Sequence, residues 1–165
     1  MGQAPTPEHE FIDASRTFLK TDFFPRLVHC VKQFREDDLW WRPNESSNSA
    51  GNLILHLCGN MRQWIVEGVG GIPTHRDRDS EFATREQVPK AVLLAQIEQT
   101  VAEVDGILQT FDFGKLLSRR KIQVYDVTPL QAIYHVVEHF SYHLGQILYI
   151  YKLRTGQDLK FYEDL

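Results

Sequence analysis

The residues in this sequence best suited to chemistry are histidines. His135, His139 and His143 follow one another at intervals of four. On an α-helix that spacing keeps side chains on one side with a rise of about 6 Å between neighbours, so two imidazoles can converge on one ion. The outer two stand about 12 Å apart along the axis, and one ion therefore takes only an adjacent pair. At about 100° per residue, Gln131, Glu138, Tyr142, Gly145 and Tyr149 form one polar or small stripe, with His135 at its border. His139 and His143 project instead with Ala132, Val136, Ile147 and Ile150. Unpaired imidazoles in apolar surroundings are costly, which favours a ligand pair. Two core or interface histidines, hydrogen-bonded to their neighbours, fit the spacing equally well.

A tight metal site needs at least a third ligand from another element. His56 is the remaining histidine inside a strong helical pattern. It shares a stripe with Asn52, Asn60, Gln63 and Glu67, a composition that a solvated helix face would also show. Periodicity leaves both readings open. Three neutral imidazoles around a divalent ion leave a coordination position at which water or a thiol loses its proton more easily. No residue is assigned as general base and none to a cofactor. Asn60 and Gln63 are placed to orient ligands, whereas Glu138 projects about 100° from His139.

The other chemically capable residues read more plainly. Cys58 is turned roughly 200° from His56 and fits a small core residue, and Cys30 has no partner motif. Residues 75–82, HRDRDSEF, read as a charged, solvated loop. The alternative is a lid from Arg76 to Phe82 that closes over a cleft, with Arg76 or Arg78 meeting an anionic substrate. Arg119-Arg120-Lys121 is a basic triplet too short and isolated for a nucleic-acid groove.

Four helices are expected to position these residues. Thr6-Pro7 opens the first, and Phe11, Ala14, Phe18, Leu27, Val28, Val31 and Phe34 recur near helical spacing. Pro25 predicts a kink or restart near Phe24, and the segment ends before Pro43. The second helix starts near Asn48 or Ser49 and meets a stop at Gly68–Gly71. Thr84 and Gln87 predict a capping box for the third, with Pro89 in its first turn and Val92, Leu93, Ile97, Val101, Val104 and Leu108 on one face. Residues 112–127 lose the helical period and read as a connection, because KIQVYDV has nothing to pair with except a short local ribbon. Thr128-Pro129-Leu130-Gln131 opens the fourth helix, which runs to Arg154-Thr155-Gly156. The expectation is an all-α four-helix bundle, one domain over residues 1–165.

Composition agrees with that expectation and narrows the partners. The 165 residues are 42% hydrophobic and 24% charged, typical of a globular protein and unlike a disordered tail or disulfide scaffold. A formal charge of −4 offers no broad positive field, so nucleic acid is not an expected partner. Two cysteines, an N-terminus lacking secretory-signal character and no apolar run of roughly 18 residues predict a soluble cytoplasmic protein with no membrane association. The apolar breadth of the fourth helix also suits a homodimer face.

The segments NLILHLCGN (residues 52–60) and HVVEHFSYHLGQILYIYKLRTG (residues 135–156) resemble the DinB/YfiT-like superfamily of metal-binding four-helix bundles. The resemblance covers most of the chain, including Trp41-Arg42-Pro43 and Arg154, and RDRDSEF is similar to an uncharacterised branch. In that superfamily an H-x3-H pair followed by Gly-Gln on the last helix joins a histidine of the second helix to hold a divalent metal ion. By position the resemblance implies His139, His143 and His56 as ligands of zinc or nickel, with manganese as a further candidate. It also implies a thiol S-transferase or hydrolase acting on a small-molecule electrophile, with a low-molecular-weight thiol such as bacillithiol or mycothiol as co-substrate. The alternative is a non-catalytic metal-binding or interaction bundle, homodimeric, because fold and ligands alone do not establish turnover.

Overall fold

A computed structural model describes residues 4–85 and 88–161. Its first rod begins where the Thr6 hydroxyl accepts from the His9 backbone N–H and Pro7 takes the first helical position. The rod runs as α1 (Pro7–Arg16), a π-helical stretch (Thr17–Phe23) and α2 (Phe24–Gln33). Pro25 explains the wide turn, since it has no N–H for the carbonyl four residues back and its ring crowds that carbonyl. At the junction the Phe24 N–H bonds to Leu19, five residues back. The rod changes phase there and passes through the proline unbroken. The predicted restart at Phe24 is where α2 begins.

A single turn, α3 (Glu36–Leu39), leads into Trp40, Trp41 and Arg42. The Trp40 indole N–H donates to the Val88 carbonyl at 3.2 Å, and a Cβ on Gly51 would stand only 2.8 Å from its ring. Glycine at 51 is what lets the ring lie against α4 (Ala50–Met61). That helix starts, as expected, at Ser49, which forms a reciprocal capping box with Asn52. A second π-helical stretch (Arg62–Glu67) carries it to Gly68.

The next segment departs from expectation. Residues 75–82 are not simply a solvated loop: His75 and residues 77–80 are exposed, but the segment includes a short helix, α5 (Arg78–Ala83), and the side chains of Arg76 and Glu81 are buried. Nor does Thr84 open the third long helix. Its hydroxyl donates to the Ser80 carbonyl at 2.6 Å as α5 ends, and α6 (Lys90–Gln109) starts after Pro89. Gln87 lies outside the described residues.

Residues 112–127 contain a turn of 3-10 helix (Phe113–Lys115) and the local ribbon. In it β1 (Arg120–Ile122) pairs antiparallel with β2 (Tyr125–Val127), with Gln123 at φ 54° in the turn. Ile122 buries itself against Gly68, while Arg120 donates 2.8 Å hydrogen bonds to the Gly68 and Val69 carbonyls. The last helix, α7 (Pro129–Thr155), has the Thr128–Gln131 capping box and a left-handed Gly156 (φ 67°), as its sequence signals predict.

The described residues are therefore mostly helical with one two-stranded sheet. α4 packs on α6 and α7, and the α1–α2 rod packs on the same two helices. Their buried side chains, among them Leu27, Ile54, Leu93, Val136 and Ile147, form one continuous hydrophobic cluster. Arg154 locks the end of α7 to α3 through a 2.6 Å contact with Asp38 and by stacking over Trp41. Among the described residues no helix is long and apolar enough to cross a membrane.

Candidate metal centre

The stripe on α4 that could have been a solvated face points inward. Asn52, His56 and Asn60 are buried, Gln63 is half-buried and only Glu67 is exposed. A polar stripe can be buried in this way only if another element satisfies it. The facing element is α7, and it presents His139 and His143.

One ring nitrogen from each of His56, His139 and His143 lies within 4.8 Å of the other two. The Nε2 atoms of His56 and His139 are 3.0 Å apart. The His143 ring stands 5.0 Å from that of His56 and 4.4 Å from that of His139, centre to centre. Nitrogens bound to one ion at about 2.0–2.1 Å are separated by about 2.9 Å at a right angle and about 3.3 Å at the tetrahedral angle. The 3.0 Å separation of the His56 and His139 nitrogens lies in that range, His143 completes the group within 4.8 Å, and three imidazoles are a donor set that suits a divalent transition-metal ion.

The far sides of the rings determine which nitrogens are free. Glu81 Oε2 lies 2.8 Å from His56 Nδ1 and can only accept, so that nitrogen carries the proton. Arg76 Nη2 is also 3.2 Å from the same nitrogen, a longer contact than the Glu81 one, and donates to Glu81 Oε2 at 2.8 Å. His143 Nδ1 donates to Gln146 Oε1 at 2.7 Å. Both histidines are therefore held with Nδ1 engaged on the far side and Nε2 as the nitrogen turned toward the cluster, the one a metal would take. His139 Nδ1 is buried with no partner among the described residues.

Burial lowers the His139 pKa to about 3, assisted by the neighbouring His143, His56 and His135 rings and by Arg76. Burial likewise lowers His143, against the opposing pull of Gln146. These imidazoles stay neutral near pH 7, with lone pairs available. Burial alone would raise the Glu81 carboxyl, but hydrogen bonds and charge from Arg76 and His56 outweigh it and hold the group below its ordinary range.

The remaining sequence candidates are also located. His135 stands beside the three, its ring 5.3 Å from that of His139, and receives a hydrogen bond from Asn60 Nδ2 at 3.2 Å. Gln63 touches none of the histidines; its side-chain carbonyl accepts from Arg76 at 2.7 Å and from Gln123 at the hairpin tip. Glu138 is exposed. Cys58 and Cys30 are buried thiols that desolvation pushes up to about 12. Arg76 is not free to meet a substrate anion, because Glu81 occupies it, and Arg78 lies over the Phe82 ring. The residue that sequence reasoning missed is Glu81. One acid among three in a mixed-charge stretch carries no periodic signal, whereas Gln146 was visible as the Gln of the Gly-Gln pair.

Residues 10–162 match a family described as "Protein of unknown function (DUF1572)". No match is found among curated proteins. Because the family match spans nearly the whole chain and includes all three histidines with the helices that carry them, the protein belongs to the DUF1572 family.

Proposed function

We propose that His56, His139 and His143 bind one divalent metal ion, zinc or nickel foremost and manganese as a further candidate, within a four-helix bundle of the DinB/YfiT-like type. The centre would serve a thiol S-transferase or hydrolase acting on a small electrophile. The observation that carries this reading is the convergence of three ring nitrogens within 4.8 Å. A bound ion supplies Lewis acidity and makes a coordinated thiol or water a better nucleophile at neutral pH. The chain's own contribution is positional. Glu81 and Gln146 orient His56 and His143, and the apolar packing around α4 and α7 restricts water. In the adjoining layer of the seam the buried Asn60 Oδ1 has no partner among the described residues, which suits a substrate N–H, O–H or S–H donor.

A homodimer completes the proposal, supported by Tyr134, Tyr142, Tyr149 and Leu153 exposed along α7. A cytoplasmic setting suits the two free thiols. The same α7 face favours the second reading, a non-catalytic metal-binding or interaction bundle.

The test is metal content by mass spectrometry on tag-free protein never exposed to a nickel column, beside a His139→Ala/His143→Ala variant. Near-stoichiometric metal that disappears in the variant is expected. Thiol transfer and hydrolysis are then assayed with that ion against a panel of electrophiles, where no turnover would favour the non-catalytic reading. Absence of metal even after zinc, nickel or manganese is supplied overturns the metalloprotein reading.

A further inference from the structure

The Arg76–Glu81 ion pair lies outside the proposed ligand set, yet both side chains are more than nine-tenths buried. A buried ion pair persists only where further hydrogen bonds offset the loss of water from both charges. Every polar atom of this pair is used. Arg76 donates from Nε to Glu81 Oε1 at 2.7 Å, from Nη2 to Glu81 Oε2 at 2.8 Å and from Nη1 to Gln63 Oε1 at 2.7 Å. Glu81 Oε2 also accepts the His56 Nδ1 proton at 2.8 Å, and the Glu81 backbone carbonyl accepts from Asn52 Nδ2 at 2.9 Å.

The segment thus grips one face of the second helix at Asn52, His56 and Gln63. Gly59 lies on the same helix, and a Cβ there would collide with the Glu81 carboxylate. The Phe82 ring covers the His56 ring, 4.6 Å between centres. No other described residue accepts the His56 Nδ1 proton.

We infer that Glu81, held by Arg76, is the positioning residue for His56, and that Arg76–Phe82 is a strap whose docking on α4 is coupled to divalent-metal binding. The inference rests on the three-histidine reading above. A carboxylate on Nδ1 fixes the ring and makes Nε2 a stronger donor to a metal. Whatever factor the docked strap adds to metal affinity, the metal must return to strap docking, because the coupling is reciprocal.

The experiment uses the full chain and zinc alone. Zinc affinity is read by competition with a chromophoric chelator, and hydrogen exchange over residues 74–84 is followed with and without zinc. Wild type, Glu81→Gln, Glu81→Ala and Gly59→Ala are compared. Zinc is expected to slow exchange across the strap in wild type. Glu81→Gln retains an acceptor but loses the charge, and should weaken zinc binding about 10- to 100-fold, the range typical of residues that orient metal ligands. Gly59→Ala leaves Glu81 chemically intact but takes the space of its carboxylate, and should also weaken zinc and abolish the strap protection. Glu81→Ala leaves Arg76 buried without its partner; if it fails to fold, Glu81→Gln and Gly59→Ala still decide. A purely structural Glu81 would lower the metal-free unfolding midpoint and leave zinc affinity unmoved. Equal zinc affinity in wild type and Glu81→Gln, or strap exchange indifferent to zinc, overturns this inference while the three-histidine reading stands. No zinc uptake by wild type overturns both.

Discussion

His139 shows how burial prepares a side chain for chemistry. Desolvation and its histidine neighbours lower its pKa to about 3, against an ordinary value of 6.5. The unfolded chain takes up a proton at this residue below about pH 6.5 and the folded chain does not until about pH 3. The contribution of His139 to stability is therefore complete above 6.5 and lost as the pH falls through that interval. Glu81 adds to the same trend lower down, since its carboxyl titrates below its ordinary value of 4.5 in the folded protein. The metal-free protein is expected to lose stability steadily from pH 6.5 downward, measured by urea unfolding at several pH values. His139→Gln should flatten the upper part of that slope. At His143, replacing Gln146 with Leu strands a buried N–H and should cost about 1–3 kcal/mol in the same assay.

At the scale of elements, two local devices set where helices begin and how closely they approach. The capping boxes at Ser49 and Thr128 each satisfy backbone donors that the first turn of a helix leaves open. Ser49→Ala and Thr128→Ala should each cost about 1 kcal/mol. Gly51→Ala separates two opposing effects. Alanine favours a helix over glycine by about 1 kcal/mol, but its Cβ would press on a Trp40 ring that its bond to Val88 holds in place. Overpacking of that kind costs about 1–3 kcal/mol, so the substitution is expected to destabilise, read as a lower urea midpoint.

For the whole molecule, metal binding and folding are linked by mass action. Zinc present at 100 times its dissociation constant would stabilise the folded state by about 2.7 kcal/mol. For a chain of this length that raises the melting temperature by roughly 5–11 °C. Differential scanning fluorimetry with added zinc should show the rise in wild type and none in His139→Ala/His143→Ala. The proposed homodimer is checked by sedimentation velocity at micromolar concentration. A dimer that dissociates when Tyr142 and Tyr149 are replaced by Lys is expected, and a monomeric wild type would remove it.

Local signals carried most of what was legible in the sequence. The His139/His143 spacing, the starts of α4 and α7, the stop at Gly156 and the restart at Phe24 each depend on residues within about two turns of one another. Caps, prolines and helical period act over that range. Which way the polar stripe of His56 faces is a different kind of fact. A stripe of Asn, His and Gln is stable in water or inside, and only the acceptors and histidines supplied by α5 and α7 make the interior the lower-energy choice. The same holds for Arg76 and Glu81. Read along the chain they are two charges in a mixed-sign stretch. Only the missing Cβ of Gly59 and the bonds from Gln63, Asn52 and His56 let them leave water together. The sequence by itself determined the long helices and the pair of histidines spaced four apart on the last of them, but not the short α5. The tertiary structure decided which polar residues are inside, because the free energy of burying a polar group depends on partners distant in the chain.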